Sequence, residues 1–269
     1  MPGLSAEQIA AFEADGFLLP IRVMAESEAA GLLAKLDAVE AGRGSLTGKF
    51  RSLKNHLLIT WLDALIRRAE ILDPVASLIG PDILCWSTAF FAKRPGDGAH
   101  VSWHQDLNYW GLEPGDVVSA WLALTPATLD NGCMRMVPGS HKWLGEAHHD
   151  TDDANNLLSR GQTMARVIGE AETRAIVLAP GEMSLHHGNT AHASAPNGAD
   201  TPRIGIAIRY MAAHVRPVNG ADSAILVRGR DDYGNFEPET APTADFDAAA
   251  LAEHDRVMAL RHKVMLEHA

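Results

Sequence analysis

The sequence predicts a mainly β core, a sandwich or barrel, with helices at both ends of the chain. Short segments rich in branched and aromatic residues follow one another through its middle, and Pro-Gly and Asn-Gly pairs separate them. Long helical segments do not alternate with these strands, which argues against a parallel sheet built from βαβ units. The predicted strands are 82–93, 117–124, 133–137, 175–178, 182–187 and 204–211.

Both ends of the chain are predicted to be helical, beginning with residues 1–80. Ser5 and Gln8 have the spacing of a capping box, which starts a helix. A second helix is predicted from about residue 27 to about residue 40, with Gly42 as its end. Further helices are predicted at 57–71, at 74–79 and from about 245 to 268.

Two stretches show neither pattern. Residues 145–173 are polar and irregular, which is typical of a mobile insertion that covers the mouth of a site. Residues 217–243 contain Gly, Pro and Asp and are predicted to be a loop. No segment resembles a linker, so we expect one domain over residues 1–269. Its parts would be a helical region over 1–80, a β core over about 81–216, and a C-terminal loop and helix over 217–269.

The chain is acidic, because 23 Lys and Arg residues against 34 Asp and Glu residues give a formal net charge of −11. This charge disfavours binding to nucleic acid or to an anionic membrane, both of which need clustered cations. No apolar run approaches the roughly 20 residues that span a bilayer, and the acidic start does not resemble a signal peptide. Cys85 and Cys133 are the only cysteines, which excludes a disulfide framework and multi-Cys metal sites. We therefore expect a soluble, cytoplasmic protein with a small-molecule partner.

Thirteen histidines direct attention to metal binding. In a strand, His104 and Asp106 would point to the same face, since side chains alternate with a period of two. Two histidines and one carboxylate form the facial triad of non-haem Fe(II) oxygenases. The H-x-D triplet alone is weak support, because a chain with this many histidines contains such triplets by chance. A second histidine must come from another strand, and the candidates are His141, His148, His149, His186, His187, His192 and His214.

Arg203 begins a strongly apolar strand, where an unpaired guanidinium would be costly. One interpretation is a structural ion pair. The other is an arginine that binds a dicarboxylate through two parallel hydrogen bonds. Arg203 lies 11 residues after His192, a spacing that suits two adjoining antiparallel strands.

Three motifs occur together in one order. H-x-D at 104–106 is followed by N-G-x-M-x-x-x-P-G-S-H at 131–141 and by H-x-S-x-x-N at 192–197, with Arg203 after it. In this combination the chain closely resembles the phytanoyl-CoA dioxygenase (PhyH) family of Fe(II)- and 2-oxoglutarate-dependent oxygenases. The resemblance covers roughly residues 80–213, and the N-terminal stretch AEQIAAFEADGFLLP is similar to the usual opening of the family.

The resemblance implies a fold and a set of site residues. The fold would be a double-stranded β-helix, or jelly roll, with N-terminal helices packed on it and a C-terminal helix. His104, Asp106 and His192 would be the iron ligands. Arg203 would bind the far carboxylate of 2-oxoglutarate, assisted by the hydroxyl of Ser194. The implied cofactors are Fe(II), 2-oxoglutarate as cosubstrate, and dioxygen.

Further positions follow from the same resemblance. Ser119 and Trp121 would line the cosubstrate pocket, and Trp110 would lie at the edge of the site. Lys54 corresponds loosely to a lysine that contacts the cosubstrate in some members, and we favour a solvated lysine there instead. Halogenases of the family have a small residue in place of the carboxylate, so Asp106 implies hydroxylation.

We expect an Fe(II)- and 2-oxoglutarate-dependent dioxygenase that hydroxylates an unactivated C–H bond of a small polar or anionic metabolite. Asn108 and Tyr109 are further candidates for contact with substrate. Two alternatives stay open: a cupin-like isomerase or hydrolase that does not use 2-oxoglutarate, and a non-catalytic jelly-roll binding module. Arg203 argues against the first, and the second has no need of three buried metal ligands. Basic residues near the site agree with an anionic substrate, namely Lys93, Arg94, Arg135, Arg209 and Arg216.

Overall fold

A computed structural model describes residues 3–47, 53–158 and 160–267 of the chain. The predicted capping box is present, since Ser5 Oγ accepts the Gln8 N–H at 3.3 Å and Gln8 Oε1 accepts the Ser5 N–H at 2.9 Å. Within these ranges no helix combines the length and the apolar character needed to cross a membrane. The helices are α1 Ala6–Asp15, α2 Glu26–Arg43, α3 Thr60–Ile66, α4 Ala69–Ile79, α5 Leu107–Trp110 and α6 Ala248–Glu267.

Each predicted strand is present, with boundaries that agree within a few residues. The strands of the sequence-predicted core are β2 Ile83–Lys93, β5 Val117–Ala123, β6 Met134–Met136, β9 Arg174–Ile176, β10 Glu182–His187 and β12 Arg203–Ala212. The others are β1 Phe17–Arg22, β3 Val101–His104, β4 Leu112–Glu113, β7 His148–His149, β8 Thr163–Met164, β11 His192–Ser194, β13 Arg216–Pro217, β14 Ser223–Arg228 and β15 Glu237–Pro238.

Two sheets form the core. The major sheet has the strand order β1-β10-β5-β12-β2-β14-β15, and the minor sheet has the order β3-β11-β6-β9. Side chains from the two sheets pack against each other, among them Trp121 and Ala207 of the major sheet and Met134, Met136 and Ile176 of the minor sheet. This arrangement is the predicted jelly roll.

Strand β12 shows how the major sheet separates the core from the site. Ile204, Ile206 and Ile208 point to one face, where they pack with residues of α2, α3 and α4. Arg203 and Arg209 belong to the alternate set and point toward the minor sheet. The helices therefore bury the outer face of the sheet, and the space between the sheets is left for polar chemistry.

The expectation that residues 1–80 are entirely helical is wrong. Gly16 ends α1 with a positive φ of 83°, and the next residues form β1, which pairs antiparallel with β10. Phe17 lies opposite His186 and is buried. The predicted helical region included Phe17, but the burial of this residue accompanies pairing with a strand that is distant in sequence.

Other boundaries also differ from prediction. The helices predicted at 57–71 and 74–79 are instead α3 at Thr60–Ile66 and α4 at Ala69–Ile79, with Pro74 inside α4. Helix α2 continues past Gly42 to Arg43, and Gly44 is its C-cap. Residues 217–243 are not all loop, because β14 pairs with β2 and places Ile225 opposite Cys85. The glycine, proline and aspartate around β14 concealed a short apolar strand that the long neighbouring strand stabilises.

Candidate active site

The structure brings together the three residues that the sequence proposed as metal ligands. His104 ends β3 and His192 begins β11, and the two residues lie directly opposite each other in the minor sheet. Their ring centroids are 4.1 Å apart. Asp106 completes the group: one ligand atom from each of the three buried residues lies within 4.8 Å of the other two.

Asp106 reaches this point by a different route from the one predicted. Strand β3 ends at His104, and Asp106 has the helical backbone angles φ −61° and ψ −47° at the start of α5. The chain leaves the sheet at Gln105, which is buried. The side-chain nitrogen Nε2 of Gln105 lies 2.7 to 3.2 Å from three backbone carbonyl oxygens. These are the carbonyls of Ser140, Trp143 and Asn189. A fixed turn, rather than strand alternation, therefore aims the carboxylate at the histidines.

Backbone carbonyls fix the orientation of both rings. His104 Nδ1 lies 2.9 Å from the carbonyl oxygen of Ser102, and His192 Nδ1 lies 2.9 Å from that of Thr190. A carbonyl oxygen only accepts, so each Nδ1–H donates, and Nε2 is the atom that each ring offers to a metal. Burial, reinforced by His104, lowers the pKa of His192 to about 4, which keeps this ring neutral near pH 7.

The donor set fits a divalent metal ion. His104 Nε2 lies 3.4 Å from Asp106 Oδ1, and both atoms are acceptors when the ring is neutral. Two buried acceptors at this separation repel each other unless a cation lies between them. Two neutral imidazoles and one carboxylate are the ligands of the mononuclear Fe(II) facial triad.

A cavity of about 50 Å³, here called the inner cavity, adjoins the three ligands. Arg203 lies in its wall, is only 2% exposed, and has no hydrogen-bond partner for Nε. Burial lowers the pKa of Arg203 to about 10, so the guanidinium remains charged at neutral pH. It forms no ion pair in the described part of the chain, so the interpretation as a structural ion pair is wrong. The other predicted residues in this wall are Ser119, Trp121 and Ser194.

The ring of Trp121 supports the Arg203 guanidinium, which lies 4.5 Å from the ring centroid. Gly205 makes this contact possible, because a Cβ atom there would lie 2.2 Å from Cζ2 of Trp121. The guanidinium face is thus covered by the ring, and its N–H edge is free to bind a planar carboxylate.

Ser194 is held by a residue that the sequence analysis placed only near the site. Its hydroxyl lies 2.6 Å from Nζ of Lys93, which is completely buried and also hydrogen-bonds the carbonyl oxygen of Ala195. Lys93 lies opposite Arg203 across β2 and β12. Burial and the Arg203 charge lower the pKa of Lys93 to about 6. The signal in the sequence was a lysine that ends a long apolar strand.

Ser119 and His186 face the inner cavity from neighbouring strands, where they lie opposite each other. The Ser119 hydroxyl and His186 Nδ1 are buried without a hydrogen-bond partner. The His186 and His192 ring centroids are 4.9 Å apart. Burial holds the pKa of His186 well below its usual value. His186 was one of seven histidine candidates, and strand pairing alone singles it out as a cavity residue.

Lys54 is not the solvated lysine that we favoured. It is completely buried, and its Nζ donates to the carbonyl oxygen of Ser223 at 2.8 Å and to the carboxylate of Glu239. His56 Nε2 lies 3.2 Å from the same carboxylate. Lys54 is absent from the walls of the two cavities at the site. The strong pairing with Glu239, 185 residues away in sequence, makes this burial possible.

Comparison with known proteins agrees with this geometry. The family model of phytanoyl-CoA dioxygenase (PhyH) matches residues 12–205. The chain belongs to the phytanoyl-CoA dioxygenase family. A probable alpha-ketoglutarate-dependent hypophosphite dioxygenase of Stutzerimonas stutzeri is 29% identical over 201 residues, which are 74% of this chain and 66% of that protein. The chain spans about half the length of the ectoine dioxygenase of Bordetella bronchiseptica, with 27% identity over 157 residues.

Solved structures show the same fold. The non-heme monooxygenase ThoJ in its apo form has a TM-score of 0.85 and 38% identity, covering 97% of this chain and 98% of that one. ThoJ has also been solved as a nickel complex. CytC3 with Fe(II) and alpha-ketoglutarate has a TM-score of 0.68 and 27% identity, covering 91% and 97%. With its family, the chain falls in the class of non-haem Fe(II)- and 2-oxoglutarate-dependent dioxygenases.

A second, outer cavity of about 260 Å³ adjoins the inner cavity of this dioxygenase. Asp106, Phe91, Leu158 and Arg209 belong to the walls of both. Trp110 lines the outer cavity, so it lies at the edge of the site as the resemblance implied. The outer cavity therefore adjoins the candidate metal centre at Asp106, and Arg203 is not part of its wall.

The insertion at 145–173 lies at the mouth of the site, as predicted, because Leu157, Leu158 and Gln162 line the outer cavity. Its mobility stays a prediction. Asn108 and Tyr109 do not line either cavity. They contact the insertion instead, at His148.

The basic residues predicted near the site separate into two groups. Arg135 and Arg216 lie away from both cavities and form ion pairs with Glu170 and Glu113. Arg94 and Arg209 line the outer cavity.

Proposed function

We propose that this chain uses Fe(II), 2-oxoglutarate and dioxygen to hydroxylate an unactivated C–H bond of a small polar or anionic metabolite. In this proposal His104, Asp106 and His192 hold the iron. The observation that carries it is the convergence of two oriented imidazoles and a carboxylate next to Arg203, a buried guanidinium without an ion pair.

The protein's own residues would bind and orient the cosubstrate. Arg203 would bind its far carboxylate, and Lys93 would hold the Ser194 hydroxyl in place beside it. Ser119 offers a further unpaired hydroxyl in the same cavity. Bound iron would supply the oxidation chemistry. Overall, one dioxygen is consumed, 2-oxoglutarate becomes succinate and carbon dioxide, and the substrate C–H becomes C–OH.

The substrate would enter the outer cavity, which shares the Asp106 wall with the metal centre. A volume of about 260 Å³ suits a small metabolite. The names of two relatives, hypophosphite dioxygenase and ectoine dioxygenase, refer to small polar compounds, which supports the same size class here. Apolar residues of the outer cavity wall, such as Phe90 and Phe91, would help to keep water from the reacting carbon, while its polar groups orient the substrate.

The test is succinate formation by the Fe(II)-loaded protein with 2-oxoglutarate, dioxygen and a panel of small metabolites. We expect the true substrate to stimulate succinate formation, and we expect succinate formation to stop without oxygen or after chelation of the iron. His104→Ala should abolish it, whereas His149→Ala, at an exposed histidine of the insertion, should not.

Other results identify the alternatives. Conversion of substrate with no succinate would indicate a metalloenzyme that does not use 2-oxoglutarate. Binding of a metabolite with neither turnover nor metal dependence would indicate a binding module. Full activity in His104→Ala would remove this residue from the proposed ligand set.

A further inference from the structure

Two guanidinium groups from distant parts of the chain share the outer cavity. Arg209 comes from β12 of the major sheet and Arg261 from the C-terminal helix α6. Nη1 of Arg209 and both Nε and Nη1 of Arg261 are buried without a hydrogen-bond partner. Neither side chain forms an ion pair within residues 3–47, 53–158 and 160–261. Each one is a partly buried positive charge in the wall of the outer cavity.

Aromatic rings hold both guanidiniums in place. The Arg261 guanidinium lies 4.7 Å from the ring centroid of Trp86, and that of Arg209 lies 5.3 Å from the centroid of Trp110. The two rings touch each other, with centroids 5.0 Å apart, and Trp86 Nε1 donates to Asp222 at 2.6 Å. Rings that cover the flat faces leave the N–H edges for acceptors in the guanidinium plane.

The other charged groups of the outer cavity have partners among neighbouring residues. Asp97 accepts the backbone N–H groups of Arg94 at 2.7 Å and Ala99 at 2.8 Å. The Arg94 guanidinium lies 3.2 Å from the carboxylate of Glu40. Asp106, the remaining carboxylate in this wall, is a candidate iron ligand.

Arg209 and Arg261 are therefore left as two like charges in one cavity. Burial lowers the pKa of Arg209, the negative charge of Asp106 opposes this shift, and the charge of Arg261 adds to it. Two neighbouring buried cations are unfavourable without an anion to neutralise them.

We propose that the outer cavity selects substrates carrying an oxyanion group, which Arg209 and Arg261 bind together. This inference rests on the proposed function, because it names the substrate class of that same site. The oxyanion is a carboxylate, phosphonate or phosphate, since all three offer the coplanar acceptors that guanidinium edges bind. The rest of the substrate lies along the tryptophan rings and reaches Asp106, at the wall shared with the metal centre.

The first experiment measures anion binding by the protein loaded with Fe(II) and saturating 2-oxoglutarate under anaerobic conditions. Under these conditions the cosubstrate occupies Arg203, so added anions report on the outer cavity. Acetate, methylphosphonate and inorganic phosphate are titrated, with acetamide as the neutral counterpart of acetate. Tryptophan fluorescence is the readout, because Trp86 and Trp110 contact the two guanidiniums. The relative affinities distinguish a carboxylate from a phosphorus oxyanion.

We expect saturable binding of at least one anion and none of acetamide. Arg209→Met and Arg261→Met should each weaken that binding at least tenfold, or about 1.4 kcal/mol. Arg256→Met is the matched control, because Arg256 lies on the same helix but is exposed and paired with Glu237 and Glu253. If Arg209→Met does not fold, Arg261→Met decides the test. Absence of saturable anion binding, or an unchanged Kd in Arg261→Met, overturns the proposal.

The second experiment compares succinate formation with matched pairs of a carboxylate or phosphonate and its neutral amide or ester. We expect the anionic member to stimulate succinate at least tenfold more, and Arg261→Met to remove that difference. Equal stimulation by both members overturns the inference and leaves the proposed function standing. Anion binding that depends on Arg261, in a protein that never forms succinate, overturns the proposed function alone.

Discussion

Replacing Arg203 by alanine should weaken 2-oxoglutarate binding far more than iron binding. Arg203 is 2% exposed, and its Nε has no hydrogen-bond partner among the residues that the structure describes. The cosubstrate carboxylate would therefore be its ion-pair partner. The proposed iron ligands are His104, Asp106 and His192, and the hydrogen bonds that orient the two histidines do not involve Arg203.

The structure sets the size of the effect. Removing one partner of a buried ion pair costs about 3–5 kcal/mol, which is a factor of hundreds or more at about 1.4 kcal/mol per tenfold. Lys93 lies opposite Arg203 and bonds to Ser194 in the same cavity. Because the Ser194 hydroxyl, which Lys93 holds, remains in the inner cavity as a donor for the carboxylate, we expect the lower end, about a hundredfold. Arg203→Lys should recover only part of the affinity, since an ammonium cannot form two parallel hydrogen bonds.

The assay is a titration of 2-oxoglutarate into the anaerobic Fe(II) protein, followed by the metal-to-ligand absorption band. Arg135→Ala is the control, because Arg135 is paired with Glu170 away from both cavities. Iron content is measured in parallel. An unchanged midpoint in Arg203→Ala would refute the reasoning and show that another cation holds the far carboxylate.

Three further outcomes are expected. Asp106→Ala should lose hydroxylation, while two histidines and 2-oxoglutarate still retain iron and leave a position open to an anion such as chloride. Product and metal analysis would check this. A wild-type rate of hydroxylation would exclude Asp106 as a ligand. Glu239→Gln should lower the free energy of unfolding by about 3–5 kcal/mol, because it leaves the buried Lys54 charge uncompensated. The pKa of Glu239 is lowered to about 2 in the folded protein. The ionised Glu239 therefore contributes its full stabilisation of the fold above the unfolded-state pKa of about 4.3, and this contribution is lost as the pH falls toward 2. Urea unfolding of the wild type and the variant at several pH values tests both points. Burial raises the thiol pKa of Cys85 and Cys133, so neither should react with a disulfide reagent until the protein unfolds.

Much of the fold could be predicted because its signals are local. The strands at 82–93 and 204–211 are long runs of branched and aromatic residues, and glycine-containing turns bound the others. Strand β1 was missed because its burial depends on pairing with β10. A six-residue apolar segment after a helix has the same local pattern whether it continues as helix or joins a sheet.

The candidate site likewise contains residues that could be predicted from the sequence and residues that could not. The H-x-D triplet and the arginine after His192 were recognisable because their spacing along the chain is the signal. The second histidine could not be chosen from seven by chemistry alone, and the motif resemblance was needed to prefer His192. The structure gives the physical reason, since antiparallel register places this residue directly opposite His104.

The sequence by itself determined the chemistry available to this protein: the strands, the triad residues and the arginine on the apolar strand. Only the tertiary structure decided which charges are paired. Lys54 is neutralised by Glu239, whereas Arg209 and Arg261 line one cavity and form no ion pair in the described part of the chain. Charge pairing depends on distances between side chains that lie far apart in sequence, and sheet register and helix packing set those distances.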